Sequence, residues 1–314
     1  SLDLPGPTGE SNRLTSVARG AILCLGPGAD AAKRQAGAVL ALGGQAVEAP
    51  SLAAEALERL SPPPAPPIDL SSSPAYHWNG TTLAAVQGFK PLPIDLIVGV
   101  DRQKTDLYEN CRRHASGAAA HDVLLWGARG MGKSALVKSV VAALQEEGFF
   151  IALVEAAANQ ITSMPALFDE LAASGRRYLL FVDDISFEPN DQSARLLRSL
   201  LEGGVEARPN NVRLCVTSNR RNIVERENGA DPDTGGRDAI DDSLALADRF
   251  GLKLGFQYPD QDAYLKMVGS YAAHFDLDWD EADALSFAQS RGGRSGRIAW
   301  HYTIELAGRA SRRI

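Results

Sequence analysis

The stretch that decides the fold is HDVLLWGARGMGKSALVKSV, residues 121 to 140. Val123 to Trp126 form an apolar run typical of a buried strand, and the residues from Lys133 onward place apolar side chains at the spacing of one helix face. The glycines between them permit a tight turn. A strand, a glycine-rich turn and a helix in this order predict a loop whose backbone amides surround a phosphate.

The turn fits the pattern G-x-x-x-x-G-K-[ST]. Its amide N–H groups would bind phosphate oxygens, its lysine would reach the β- and γ-phosphates, and its serine hydroxyl would ligate Mg²⁺. We therefore expect ATP and Mg²⁺ as cofactors. The pattern assigns these residues to the nucleotide: Gly127, Ala128, Arg129, Gly130, Met131, Gly132, Lys133 and Ser134.

A second apolar run, YLLFVDD at residues 178–184, ends in two carboxylates. Buried carboxylates at a strand tip are costly without a cation nearby, so Asp183 is predicted to hold the Mg²⁺ shell together with Ser134. Asp184 occupies the position in which a carboxylate orients the attacking water. Taken alone, the pair fits a helix cap after a strand equally well, and the upstream turn favours the metal.

Four later residues are candidates for contact with the phosphates. Asn219 ends the strand VRLCVTSN, where its amide could hold the water or the γ-phosphate. Arg249 precedes the strand GLKLGFQYP, and Arg294 and Arg297 lie in GGRSGR before the last helix. Arginines aimed at phosphates stabilise the charge that develops during transfer. The alternative for each arginine is an ordinary surface ion pair.

Strand and helix patterns alternate along most of the chain, which predicts an α/β fold. Residues 91–259 are assigned to a P-loop nucleotide-binding domain with a parallel five-stranded sheet flanked by helices. Residues 260–314 are assigned to a helical lid, because only helical patterns follow Pro259. Residues 61–90 read as a Pro/Ser-rich linker and lead-in, and residues 1–60 as a small N-terminal βαβα segment.

Composition and charge narrow the class of protein. The chain has 314 residues, 45% of them hydrophobic, and can build a large core. No apolar run is long enough for a bilayer, and the first residues lack the features of a secretory signal. Three widely spaced cysteines indicate neither disulfides nor a zinc site. We expect a cytoplasmic protein that does not bind membranes, and the net charge of −7 argues against non-specific coating of nucleic acid.

The ordered set of motifs resembles the AAA+ ATPases. In this resemblance the turn at 127–134 is Walker A and LLFVDD is Walker B. Asn219 corresponds to the first sensor, Arg249 to the arginine finger, and Arg294 or Arg297 to the second sensor in the lid. The family implies an AAA+ type sheet, ATP hydrolysis, and a homo-oligomer in which Arg249 acts in trans.

Residues from about 75 to 314 also resemble a narrower bacterial family, the domain of unknown function eight-one-five. The resemblance rests on the phrases GVDRQKTDLYENCRRH, LLWGARGMGKSALVK, DDISFE, LLEGGVEARPNNVRLCVTSNRRN, LADRFGLKLGF and GGRSGRIA. It places IVGVDRQK, with Val100 and Asp101, near the adenine. Residues 1–57 resemble part of the C-terminal aldehyde-dehydrogenase-like region of bifunctional proline-utilisation enzymes, and no chemistry is assigned to them.

The chain departs from the AAA+ pattern at Walker B, which usually ends Asp-Glu and here ends Asp183-Asp184. The shorter side chain holds its carboxylate farther from the attacking water. We therefore expect slow hydrolysis unless Glu188 or a partner compensates.

Together these features predict a Mg²⁺-dependent ATPase that couples its nucleotide state to remodelling or assembly of an unknown macromolecular partner, for which we expect a protein. The alternative is an ATP-gated nucleic-acid loader or adaptor with little hydrolysis, weakly favoured by Arg220, Arg221 and the basic tail GRASRRI. A small-molecule P-loop kinase is a third interpretation, with GGRSGR as a lid over the triphosphate.

Overall fold

The computed structural model describes residues 2–4, 12–14, 22–24, 29–41, 46–48, 68–185, 196–198, 200–201, 208–219 and 246–314. The chain divides into two compact units, Ser1–Pro67 and Ile68–Ile314. Some sequence-based expectations lie outside the described residues. These are the roles of Glu188, Arg220 and Arg221 and the last helix of the N-terminal segment.

The described residues of the first unit form two short strand pairs and a helix. β1 (Leu2–Leu4) pairs antiparallel with β2 (Asn12–Leu14), which no sequence pattern predicted. β3 (Ile22–Cys24), α1 (Ala29–Ala41) and β4 (Ala46–Glu48) follow, and β3 pairs parallel with β4. A helix between two parallel strands is the βαβ order that the sequence indicates for this segment.

A seven-stranded sheet forms the centre of the second unit. Its strands are β5 (Ala75–Trp78), β6 (Leu83–Ala85), β7 (Val123–Gly127), β8 (Ile151–Ala156), β9 (Arg177–Val182), β10 (Val212–Ser218) and β11 (Leu252–Phe256). In space they follow the order β11-β7-β10-β9-β8-β5-β6, and every pair is parallel except β5 with β6. The prediction of five strands was therefore wrong.

The two additional strands come from the stretch that the sequence assigns to the linker and lead-in. Tyr76 and Trp78 of β5 are fully buried, because β5 pairs with the outer side of β8. Arg176 is also buried and donates to the carbonyl oxygens of Leu70 and Ser73, which fastens the segment before β5 to the sheet. Strands of three and four residues are too short to give a clear periodic pattern beside so many prolines and serines.

Within the described residues of the second unit, helices pack on both faces of the sheet, and the last three form the segment predicted to be the lid. They are α2 (Asp101–Ala115), α3 (Lys133–Glu146), α4 (Met164–Ala172), α5 (Gln261–His274), α6 (Glu281–Ser290) and α7 (Gly296–Arg309). The side chains of Asp260, Asp280 and Ser295 cap the amino termini of α5, α6 and α7, so polar residues set where the lid helices begin. Within the described ranges, no helix combines the length and the hydrophobicity that crossing a bilayer requires.

Neighbouring residues of each central strand enter two different apolar cores. Leu125 and Phe181 belong to the core that contains α2, α3 and the lid helices. Leu124 and Val182 belong to the core on the other face, together with α4. Burial on both faces explains why these strands are apolar at nearly every position.

The strand order creates a switch point at the carboxyl end of β7. β8, β9 and β10 lie side by side in chain order, whereas β7 lies between β10 and β11. Ligands of open α/β sheets bind beyond the carboxyl ends of the strands at such a point. The glycine-rich turn follows β7 at this place.

His114 on α2 is a buried histidine that contacts the sheet. Its side chain is 1% exposed, and its Nε2 lies 3.1 Å from the carbonyl oxygen of Tyr178 on β9. Burial, together with the guanidinium groups of Arg213 and Arg177, lowers the pKa of His114 from 6.5 to about 4. The folded protein therefore keeps this ring neutral at pH values where the unfolded chain would protonate it.

We expect His114 to make the free energy of unfolding fall as the pH is lowered. Below pH 6.5 the unfolded chain binds a proton that the folded protein does not bind until about pH 4. The loss due to this residue should reach roughly 2–3 kcal/mol near pH 4.5. Urea unfolding at several pH values would measure the free energy of unfolding. As the pH is lowered, this free energy should fall less for His114→Gln than for the wild type. The exposed-site variant His301→Gln should follow the wild type, and equal pH slopes for wild type and His114→Gln would contradict the expectation.

Candidate functional site

The glycine-rich turn connects β7 to α3 at the carboxyl edge of the sheet. Gly127, Gly130 and Gly132 have φ angles of 121°, 78° and 84°, in the region that favours glycine. A side chain at 127 would overlap the carbonyl oxygen of Phe256, which accepts a hydrogen bond from the amide of Ala128 at 3.0 Å. No side chain in the described part of the chain caps the amino terminus of α3, so its first N–H groups remain available to a ligand.

Lys133, the first residue of α3, connects the turn to β10. Its Nζ donates to the carbonyl oxygens of Gly127 and Ala128 and to Oδ1 of Asn219, each at 2.9 Å. Lys133 is 5% exposed, so burial lowers its pKa, while two nearby carboxylates raise it. A partly desolvated ammonium group thus sits beneath the turn.

Ser134 and Asp183, the two predicted magnesium ligands, are in direct contact. The Ser134 hydroxyl donates to Oδ1 of Asp183 at 2.8 Å. Thr217 on β10 donates its hydroxyl proton to the same oxygen and accepts a hydrogen bond from the amide of Asp184 at 2.8 Å. The start of α3, the end of β9 and the end of β10 therefore fix one carboxylate.

Asp184 is held by two polar neighbours. It adopts a φ of 55°, its carboxylate accepts a hydrogen bond from Nδ2 of Asn219, and it lies 3.6 Å from the Arg129 guanidinium. Asn219 uses both ends of its amide, with the oxygen toward Lys133 and the nitrogen toward Asp184. Aspartate is enriched in the left-handed region among non-glycine residues, which provides a backbone reason for aspartate rather than glutamate at this position.

The amino end of α7 contacts the turn directly. The amide of Arg297 donates to the carbonyl oxygen of Gly130 at 3.0 Å. A Cβ at Gly130 would lie 3.2 Å from Ser295 Oγ and 3.3 Å from Arg297 Cβ. Arg297 is exposed and close enough for its charge to lower the pKa of Lys133. Arg294 is also exposed and borders a cleft within the lid, so of the two lid arginines only Arg297 is seen to contact the turn.

Arg249 lies at the opposite edge of the sheet. It precedes β11, whose first residue Leu252 pairs with Val123, whereas Phe256 pairs with Gly127 at the turn. Five residues of strand span about 16 Å, so Arg249 is far from the turn of its own chain. Arg249 is exposed at this place, and its role in trans stays a prediction.

The residues predicted to lie near the adenine are at the start of α2. Val100 is buried as the residue before the helix, and Asp101 is exposed and lies 3.8 Å from Lys104. Gln103 donates to the carbonyl oxygen of Gly255 at 2.7 Å, which puts this end of α2 beside the end of β11. Their assignment to the adenine stays a prediction.

The side chains at the switch point suit a magnesium-bound triphosphate. Ser134 and Asp183 supply hydroxyl and carboxylate oxygens, which are the hard ligands that Mg²⁺ takes beside phosphate and water. Lys133 is bonded to two main-chain carbonyl oxygens that a phosphate oxygen can replace as acceptor.

Comparison of sequences places the chain in a family. Residues 71–310 match the family described as Protein of unknown function (DUF815). The chain belongs to this family. The match begins just before β5 and includes the three lid helices. It does not extend to residues 1–57, so their aldehyde-dehydrogenase-like resemblance stays a prediction. A comparison with functionally curated proteins found none that matches.

Two solved structures illustrate what the DUF815 chain is similar to. The RuvB Holliday junction branch migration motor of Thermotoga maritima matches at a TM-score of 0.46 and 20% identity, covering 72% of this chain and 68% of that one. The Aeropyrum pernix ORC1 protein, solved in complex with DNA, matches at a TM-score of 0.48 and 16% identity, covering 72% and 66%. At this distance the likenesses carry no conclusion about activity.

Some contacts at the site have little or no signal in the sequence. The ion pair of Arg129 with Asp184 and the backbone bond between Gly130 and Arg297 depend on where the turn and the lid come to lie. Thr217 did have a signal, because it is a hydroxyl residue at the end of an apolar strand next to the Asp183 strand. Its bridging role between two acidic residues was not assigned from the sequence.

We expect Thr217→Val to destabilise the protein by about 1–3 kcal/mol, because the change removes the buried hydroxyl that joins the amide of Asp184 to the carboxylate of Asp183. Chemical denaturation of both proteins would measure the difference in free energy of unfolding. Thr303→Val is the matched control, since Thr303 is equally buried but only donates to the carbonyl oxygen of Ala299 in its own helix. Equal losses for both variants would contradict a special role for Thr217.

Proposed function

We propose that this DUF815 protein is an AAA+ type, Mg²⁺-dependent ATPase with slow turnover. The observation that carries the proposal is the meeting of three elements at the switch point. Ser134 of α3 contacts Asp183 after β9 at 2.8 Å, and Lys133 contacts Asn219 after β10 at 2.9 Å. Residues far apart in sequence thus form one site of the composition that a triphosphate needs.

Binding begins with an exchange of hydrogen-bond partners around Lys133. The phosphates would lie over the turn, accept from its free amides, and take the place of the Gly127 and Ala128 carbonyl oxygens at Nζ. Ser134 and Asp183 would hold Mg²⁺, which offsets the charge of the phosphates when bound. The amino end of α7 would contact the γ-phosphate side through Arg297, because its amide already touches Gly130.

Hydrolysis would depend on Asp184 and Asn219. Asp184 is the carboxylate that orients the attacking water, and Asn219 links it to Lys133. Two features support slow turnover. The aspartate is shorter than the usual glutamate, and its carboxylate is already engaged by Asn219 and Arg129.

Arg249 would act on the triphosphate of a neighbouring copy, which makes a homo-oligomer the active form. Its position at the amino edge of the sheet supports this arrangement, since the turn lies at the carboxyl edge. A head-to-tail ring brings the two edges of adjacent copies together. We further propose that changes of nucleotide state in such an assembly are transmitted to a macromolecular partner.

Lys133→Ala should weaken ATP binding by about ten- to a hundredfold, because it removes a buried ammonium group that would bind two phosphates. Isothermal titration calorimetry with ATP and Mg²⁺ would measure the affinity, and phosphate release would measure turnover. Lys266→Ala, at an exposed position in α5, serves as the control and should bind like the wild type. The proposal fails if the wild type gives no binding heat, or if turnover reaches tens per second without a partner.

Gly130→Ala should weaken ATP binding about tenfold, because the new methyl group would press against Ser295 and Arg297 and separate the lid from the turn. Gly148→Ala is a matched control. Gly148 has a similar φ of 88°, but a Cβ there would meet no atom within 4 Å. Both variants should lose about 1–2 kcal/mol of stability from the backbone conformation, and only Gly130→Ala should lose affinity. Equal affinities in calorimetry would count against a working contact between lid and turn.

A further inference from the structure

The dipeptide His121–Asp122, which precedes β7, is held by several separate elements. The side chain of Asn110 on α2 is 1% exposed and bonds both main-chain groups of His121, each at 2.9 Å. The main-chain oxygen of Asp122 accepts a hydrogen bond from the amide of Leu252, the first residue of β11, at 3.2 Å. This dipeptide therefore lies where α2, β7 and β11 meet at the amino edge of the sheet.

The side chain of Asp122 connects the same point to β10. One oxygen accepts a hydrogen bond from the amide of Leu214 at 2.8 Å, and the other lies 2.7 Å from the guanidinium of Arg208. The side chains of Asp122 and Arg208 are only 13% and 19% exposed. A charge pair in this setting is screened less by solvent than the exposed pairs of the helices, and removing one partner leaves the other charge largely enclosed.

The segment that carries Arg249 rests on this dipeptide. Leu246 and Phe250, on either side of Arg249 in sequence, are each 1% exposed and fix the backbone to the core. Gly251 packs so closely on the ring of His121 that a Cβ would overlap it. Contacts with His121 and Asp122 therefore begin at Gly251 and Leu252, two and three residues after Arg249, and set the direction in which the segment enters β11.

The opposite ends of β10 contact both places that matter for the proposed reaction. Its carboxyl end carries Thr217, followed by Asn219, which contact Asp183, Asp184 and Lys133. Near its amino end, Leu214 binds Asp122 and Arg208 precedes the strand. The strand is about 23 Å long. It therefore connects the nucleotide site at one edge of the sheet to Asp122 at the other edge, next to the segment that carries Arg249.

We propose that the Asp122–Arg208 ion pair positions Arg249 for action on the triphosphate of the neighbouring copy. This inference rests on the proposed function. Arg208 and Asp122 are positioning residues, because neither is placed at the nucleotide. When the pair is broken, β10 and β11 lose a common attachment and Arg249 loses its fixed direction, while the Lys133 site at the far edge keeps its contacts.

The kinetic test compares Arg208→Met, which keeps the length of the side chain, with Asp122→Asn, which keeps an acceptor for the amide of Leu214. Both should leave the ATP dissociation constant unchanged and lower kcat about tenfold, because a small displacement of a reacting group has a large effect on rate. The double variant should be no slower than either single variant, as expected for two halves of one interaction. Arg112→Met, which breaks an exposed ion pair with Glu109 on α2, is the control and should keep wild-type kcat.

Mixing of subunits separates positioning of Arg249 from damage to the protein's own site. Lys133→Ala subunits have an impaired nucleotide site but retain Arg249, and Arg249→Ala subunits have the reverse defect, so their mixture should regain activity. Arg208→Met mixed with Lys133→Ala should also regain activity, because an intact Arg249 then reaches an intact site. The double variant Lys133→Ala/Arg208→Met should fail to rescue Arg249→Ala. Asp122→Asn should give the same pattern in place of Arg208→Met.

The reverse pattern would overturn the inference. If Arg208→Met and Asp122→Asn are not rescued by Lys133→Ala, the ion pair supports the nucleotide site of the same subunit. If Lys133→Ala subunits that also carry either change still rescue Arg249→Ala, the ion pair does not position Arg249. Wild-type kcat in both variants would also overturn it. Failure of the reference mixture of Lys133→Ala with Arg249→Ala would instead count against the trans arrangement of the proposed function.

Discussion

The contact between the Ser134 hydroxyl and the Asp183 carboxylate is the interaction on which the arrangement of the site depends. It exists because parallel strands end at the same edge, so that residues after β7, β9 and β10 meet although they are far apart in sequence. Thr217 then joins Asp183 to the Asp184 amide, and Asn219 joins Asp184 to Lys133. Each of these polar groups is paired with a group from another element.

The cluster brings two carboxylates together with three cations. Lys133 is desolvated, yet three acceptors surround its ammonium group and two carboxylates lie nearby. A bound triphosphate would bring several negative charges to the same place, and Lys133, Arg129 and Arg297 are the cations that lie there to meet them. The affinity of the proposed site therefore depends on the difference in free energy between the free and the nucleotide-bound site, since Lys133 has hydrogen-bond acceptors in both. The exchange of these acceptors at Lys133 is the main change on binding.

The sequence predicted those parts of the molecule that local patterns encode. The turn at Gly127–Ser134, the strand before Asp183 and the three lid helices all appear where their patterns indicate. What the sequence missed depends on long-range packing. β5 and β6 are too short to show a period, and their burial is decided by the exposed side of β8. The contacts of Arg129 and of Gly130 depend on the final position of the turn and the lid, which no spacing of residues records.

The attachment of β5 to β8 also determines how short a foldable fragment of this protein can be. A fragment cut at residue 91, where the sequence patterns place the start of the nucleotide-binding domain, would remove both outer strands and the segment bound by Arg176. The buried guanidinium of Arg176 would lose two main-chain acceptors. The main-chain hydrogen-bonding groups on one side of β8, an apolar strand, would also lose their partners. Such an edge pairs readily with other chains, so the shortened protein would aggregate even with every nucleotide-binding residue in place.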